Sequence, residues 1–184
     1  MATKKSRSRS TSSKKSPRAR TGSASSKGSA RQQDAIALLK EDHQKVRKLL
    51  SQLEKAEGES RRTSLLGQIE KEVKIHTQIE EEIFYPAFRD AAKKKDDMKL
   101  FFEAVEEHHV VDLVMPEAKE TSPGGEEFAA KAKVIKDLIE HHAEEEEKEM
   151  FPRARKLFDS AELRELGGRM KKRKTQLGGQ SASS

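Results

Sequence analysis

Apolar side chains recur along residues 34–158 in alternating steps of three and four, the spacing that gathers them on one face of a helix. A first stretch opens near Asp34, a candidate N-cap, and runs through Ile36, Leu39, His43, Val46, Leu50 and Leu53. Gly58 and Ser60 mark a turn. A second stretch follows with Leu66, Ile69, Val73, His76, Glu80, Ile83 and Ala87. The cluster Lys93-Lys-Lys-Asp-Asp97 reads as a loop and a new helix cap. A third stretch shows Phe101, Ala104, His108, Val111 and Met115, with Pro116 expected to bend or end it. Thr121-Ser-Pro-Gly-Gly125 is the clearest turn in the chain. A fourth stretch carries Phe128, Ala132, Ile135, Leu138, His142, Glu146 and Met150, and a short fifth helix is expected over 160–172, capped by Ser160. No segment shows the alternation of a strand. Four amphipathic helices joined by short loops predict an all-α fold, an antiparallel up-down-up-down four-helix bundle.

Composition adds boundaries. Of 184 residues, 33% are hydrophobic and 38% charged, which suits a small bundle with charged outer faces. There is no Cys, so thiolate metal sites, disulfides and Cys nucleophiles are excluded. No apolar run approaches the ~20 residues of a membrane helix, and no secretory leader is visible, so a cytoplasmic protein without membrane contact is expected.

The net charge of +6 conceals a division. Residues 1–31 hold ten Lys/Arg (positions 4, 5, 7, 9, 14, 15, 18, 20, 27 and 31) and no acid. Residues 169–184 add five (169, 171, 172, 173 and 174), again without an acid, so the remaining 137 residues are net acidic. Three regions result. Residues 1–33 form a basic Ser/Lys/Arg-rich tail that lacks Leu, Ile, Val and aromatics and is expected to be disordered. Residues 34–158 form the bundle. Residues 159–184 form a short helix and a basic tail, loose from 178 onward.

The chemistry lies in the polar residues that interrupt the apolar stripes. His76-Thr-Gln-Ile-Glu80 is followed by Phe84-Tyr-Pro86, and His142-Ala-Glu-Glu-Glu146 by Phe151-Pro152. In both copies Pro stands ten residues after His. Each copy is preceded by another His in a matching frame, Asp42-His43 and Glu107-His108, 33 and 34 residues upstream. The repeat of about 65 residues makes each half one helical hairpin. Residues i and i+4 share a helix face, so four imidazoles and two carboxylates are expected to meet at one level of the core. Two carboxylates buried without partners are very unfavourable, whereas metal ions satisfy their charge and lone pairs together. The candidate ligands are His43, His76, Glu80, His108, His142 and Glu146. Mixed N/O donors favour iron, with manganese or zinc as alternatives.

These motifs, over residues 34–158, resemble the hemerythrin-like HHE cation-binding family. The resemblance implies a four-helix bundle holding a non-haem di-iron centre. It also implies binding or sensing of oxygen or nitric oxide, or the handling of iron. The chain departs from the oxygen-carrying hemerythrins on the third helix, where Asp112 replaces the second His of a His-x3-His pair. On the fourth helix those proteins place the carboxylate five residues after the His; here both Glu146 and Glu147 are available, and internal symmetry favours Glu146.

Other residues read more plainly. His109 and His141 break the periodicity and fall on the surface. Glu81, Glu82, Glu144, Glu145 and Glu147 form a solvated acidic face, with Glu81 and Glu147 nearest the core and candidates to hydrogen-bond the ligands from behind. Asp112 is a ligand or a partner of one. Phe84 and Phe151 are core packing, and the Tyr85 phenol is a candidate hydrogen-bond donor to a ligand. The basic tail fits nucleic acid held through phosphates, without reading of base sequence. Two rival functions stand beside the metal-binding one: a nucleic-acid-associated protein with the bundle as scaffold or iron-protective module, and a di-iron oxidase or peroxidase. The sequence shows no substrate pocket that favours the latter.

Overall fold

The computed structural model describes residues 33–180, and the expected basic arm lies outside them. Helix α1 (Ala35–Glu54) begins as expected at Asp34, whose Oδ1 accepts the Ala37 N–H at 2.8 Å. All six members of its stripe are buried. Gly58 adopts φ 80°, a left-handed backbone open to Gly without strain, and turns the chain into the second helix.

Helix α2 runs as three segments end to end: α-helical Glu59–Ile79, a π-helical turn Glu80–Phe84, and α-helical Tyr85–Ala91. The π-turn changes the expected stripe. Ile83 and Ala87 are only partly buried, whereas Phe84, Tyr85 and Phe88 are fully buried. One extra residue per turn rotates everything beyond Glu80 by one position. Its cause stands in the sequence. The Tyr85 N–H reaches back five residues to the Glu80 carbonyl, and Pro86 comes next. A proline ring collides with the carbonyl four residues earlier in a regular helix, and the wider turn relieves that collision.

Helix α3 (Lys95–Glu120) starts after Lys94, which offers no side-chain cap. Asp96 and Asp97 thus lie inside the first turn, where acids favour the helix dipole, and do not cap it. Asp97 is buried and committed to Arg153, 2.8 Å away. Pro116 does not end the helix, which continues to Glu120. The carbonyl that Pro leaves without a donor belongs to Asp112, an exposed residue, so water can serve it.

Helix α4 repeats the plan of α2: Glu126–Glu145, a π-turn Glu146–Met150, then Phe151–Leu157 with Pro152 in its first turn. Helix α5 spans Ser160–Gln180. Its cap is Asp159 rather than Ser160. Asp159 Oδ1 accepts the N–H groups of Ala161 and Glu162 at 2.6 and 2.9 Å, and Glu162 accepts the Asp159 N–H in return. The helix outruns its expected end at 172 and includes residues 178–180. Leu163, Leu166, Met170 and Leu177 explain this, because all four are buried in the core.

The core has two apolar clusters. One contains Leu39, Ile79, Phe84, Phe88, Leu100, Phe151 and the four α5 residues. The other contains Val46, Leu50, Leu66, Ile69, Val111, Met115, Phe128 and Ile135. Along α1 and α3 the chain passes from the first cluster to the second; along α2 and α4 it passes back. That order is the up-down-up-down topology, and in each of α1 to α4 the change falls beside a histidine.

Candidate metal centre

His43, His76, Glu80, His108, His142 and Glu146 are the polar layer between the clusters, each at most 6% exposed. The Nε2 atoms of His43 and His76 are 3.1 Å apart, as are those of His108 and His142. The carboxylates cross between the halves. Glu80 Oε2 lies 3.2 Å from His76 Nε2 and 3.5 Å from His108 Nε2. Glu146 Oε2 lies 3.2 Å from His43 Nε2 and 3.8 Å from His142 Nε2. Two ligand groups with donor atoms within 4.8 Å share Glu80: His43, His76, Glu80 and Glu146, and Glu80, His108 and His142.

A second ring of acids orients the imidazoles. Glu147, Glu81 and Glu107 accept from Nδ1 of His43, His108 and His142 at 2.9, 2.8 and 2.8 Å. Asp42 stands 3.8 Å from Nδ1 of His76. Glu81 and Glu147, expected nearest the core, hold histidines across the bundle, Glu81 while still 47% exposed. Asp42 and Glu107 were legible only as parts of the repeated Asp/Glu-His pairs. The signal was their position, one residue before a core His in each half. Asp112 is exposed on α3 and joins none of these groups.

This ring fixes the chemistry at the centre. An imidazole that donates through Nδ1 to a carboxylate presents an unprotonated Nε2. His108 and His142 bring two such nitrogens to 3.1 Å, facing carboxylate oxygens, as acceptors without a donor, and in the other half His76 Nδ1 is itself buried without a partner. Both oxygens of Glu80 and Oε2 of Glu146 are buried without a hydrogen-bond partner. Cations between these atoms would satisfy all of them at once, so the residues fit a metal.

Without one, the carboxyls diverge. Burial, and then the charge of Glu146, pushes the Glu80 pKa well above the usual carboxylate range. Burial also acts to raise Glu146, but the adjacent His43 imidazole and the charge of His142 outweigh it and hold it at about 2 in the metal-free protein. Burial pushes His76 down to about 4.

The halves differ in one ring. Tyr85 stacks on His108 at 5.5 Å between centroids, and Phe151, its counterpart, stacks on His43 at 5.8 Å. The Tyr85 hydroxyl donates to Glu146 Oε1 at 3.0 Å. Burial, and then Glu146 and Glu80, push its pKa well up, so it stays a donor. A cavity of about 30 Å³ adjoins the four histidines, walled by Val46, Val73, Val111 and Ile139. A larger one of about 200 Å³ lies away from them, against Leu50, Leu53 and Phe128.

A family model described as the hemerythrin HHE cation-binding domain matches residues 34–154. The chain is 29% identical over 168 residues to a protein of Nostoc sp. named DNA nickase, covering 87% of this chain and 46% of that protein. It is 33% identical over 111 residues to an uncharacterized protein of Mycobacterium tuberculosis, covering 59% of this chain and 64% of that one. The chain therefore spans about half the length of the first relative and less than two thirds of the second. A crystal structure of a hemerythrin HHE cation-binding domain-containing protein from Mycobacterium kansasii matches with a TM-score of 0.72 and 29% identity, over 82% of this chain and 91% of that one.

Proposed function

The chain belongs to the hemerythrin HHE cation-binding family, and on that premise we propose that His43, His76, Glu80, His108, His142 and Glu146 would hold two iron ions, Glu80 belonging to both ligand groups. The observation that carries this reading is the convergence of four Nε2 atoms and three orphaned carboxylate oxygens in a layer at most 6% exposed. When bound, a pair of irons supplies redox chemistry and open coordination positions. The protein contributes the rest. Glu147, Glu81 and Glu107 aim the imidazoles of His43, His108 and His142. Tyr85 donates a proton-bearing hydroxyl to Glu146. Phe84 and Phe151 close the layer on one side, and the four valine and isoleucine residues on the other.

The adjoining cavity of about 30 Å³ supports a small ligand such as dioxygen or nitric oxide, or a function in iron handling, over an organic substrate. Metal analysis and the optical spectrum of the purified protein test the proposal. Two irons per chain are expected, with near-ultraviolet absorption that changes on reduction and re-aeration. His76→Ala and His142→Ala should each lose metal. Full metal content in both variants would overturn the assignment.

A second reading concerns nucleic acid. It is supported by the name of the Nostoc relative and by the ten Lys/Arg of residues 1–31. DNA binding that falls steeply with salt, and is lost when the chain starts at Asp34, is its expected signature. Incubation with supercoiled plasmid tests for nicking directly. Among the described residues, no helix is long and apolar enough to cross a membrane.

A further inference from the structure

His141 lies on the surface of α4, one residue before His142, and is 62% exposed. His141 and Glu145 repeat, one position earlier and facing outward, the His-x3-Glu spacing of the buried pair. Glu107 Oε1 and Glu145 Oε1 stand 3.5 and 3.6 Å from His141 Nε2. Donor atoms of the three residues fall within 4.8 Å of one another. They sit in a shallow surface depression that Glu103 and Glu106 also line; Glu103 is paired outward with Lys99.

The pseudo-twofold supplies an independent sign of what belongs there. Applying the repeat, Asp42 takes the place of Glu107, and Ile75 and Ile79 take the places of His141 and Glu145. In that half, Ile75 and Ile79 are buried in the cluster shared with α5, and the ammonium of Lys174 from α5 rests on Asp42. One half therefore carries a protein cation on its outer acid. The other half leaves the equivalent acid open and surrounds it with an imidazole and a further carboxylate.

We propose that His141, Glu107 and Glu145 form a separate surface site for a divalent cation. One nitrogen and two carboxylate donors suit a borderline ion such as Zn2+, Fe2+ or Mn2+. Glu107 ties this site to the buried layer, because its Oε2 accepts from His142 Nδ1 while Oε1 faces His141. Exposure and a smaller ligand set make the outer site the weaker and the faster to exchange.

Calorimetric titration of the metal-free full chain with Zn2+ tests this. The wild type should show a tight class of sites and one further, weaker equivalent. The double variant His141→Asn, Glu145→Gln should lose the weaker equivalent and keep the tight class. Both substitutions are on the outer face of α4, and a matched circular-dichroism melt checks the fold. A weaker equivalent that persists in the variant, or is missing from the wild type, overturns the proposal. His76→Ala removes the tight class alone, so failure of the buried centre and failure of the surface site are separately visible.

Discussion

Replacing Glu80 with Met should stabilise the metal-free protein while abolishing its metal site. Glu80 is completely buried, and neither carboxylate oxygen has a hydrogen-bond partner. The short contact to His108 brings lone pairs together, since that imidazole commits its Nδ1–H to Glu81. Met keeps the chain length and helix propensity and removes both oxygens. Leaving a buried polar group unsatisfied costs ~1–3 kcal/mol, and exchanging buried ionic groups for packed apolar ones often gains ~1–4 kcal/mol. Protonation of Glu80 in the apoprotein recovers part of the penalty, so the expected gain is about 2 kcal/mol. For a chain of this size that raises Tm by roughly 4–8 °C. Thermal melts in chelator provide the assay, with metal content determined in parallel. Adding metal should reverse the order, because ligand at a hundredfold excess over Kd adds ~2.7 kcal/mol to the wild type and nothing to the variant. A variant less stable than the wild type in chelator would falsify the claim that Glu80 is held in the core against folding preference. A variant that still binds two metals would remove Glu80 from the centre.

Tyr85→Phe should fit without repacking, since Phe151 already fills the equivalent place, yet lose a donor to Glu146 and ~1.5–3 kcal/mol of apoprotein stability; an unchanged urea midpoint in chelator would contradict the hydrogen bond at 3.0 Å. Two Gly→Ala changes should act in opposite directions. At exposed Gly67 a Cβ meets nothing within 4 Å, so Ala should stabilise α2 by ~0.5–1 kcal/mol. At Gly167 a Cβ would stand 2.8 Å from the Ala35 nitrogen, so Ala should destabilise by ~1–3 kcal/mol, and denaturant melts that agree in sign would refute this packing. Removing residues 160–184 strips Leu163, Leu166, Met170 and Leu177 from the core at ~1.5–3 kcal/mol each, comparable to a whole domain's stability. The shortened chain should not melt cooperatively, and a normal transition would place the domain boundary near 158.

What was legible in the sequence is what periodicity and repetition encode locally. Stripes of step three and four, the cap at Asp34, the turn at Gly58, and a histidine on each stripe specify four helices that share one polar level. The offset of about 65 residues relates the halves, and the Asp/Glu-His and Glu-Glu pairs already contain the residues that aim the imidazoles. What the tertiary structure decided are the facts that depend on partners distant in the chain. Glu81 and Glu147 are legible as the acids nearest the core, but a single helix cannot show that the histidines they meet are those of α3 and α1. The π-turns rotate Tyr85 and Phe151 onto those histidines, a one-residue shift that a fixed period of 3.6 cannot express although Pro86 and Pro152 mark its place. Helix α5 reads as a marginal basic segment and is ordered to Gln180 by the apolar surface that α1 and α2 leave uncovered. Its Lys174 makes the two halves unequal, because a contact across 132 residues follows from packing and not from local pattern.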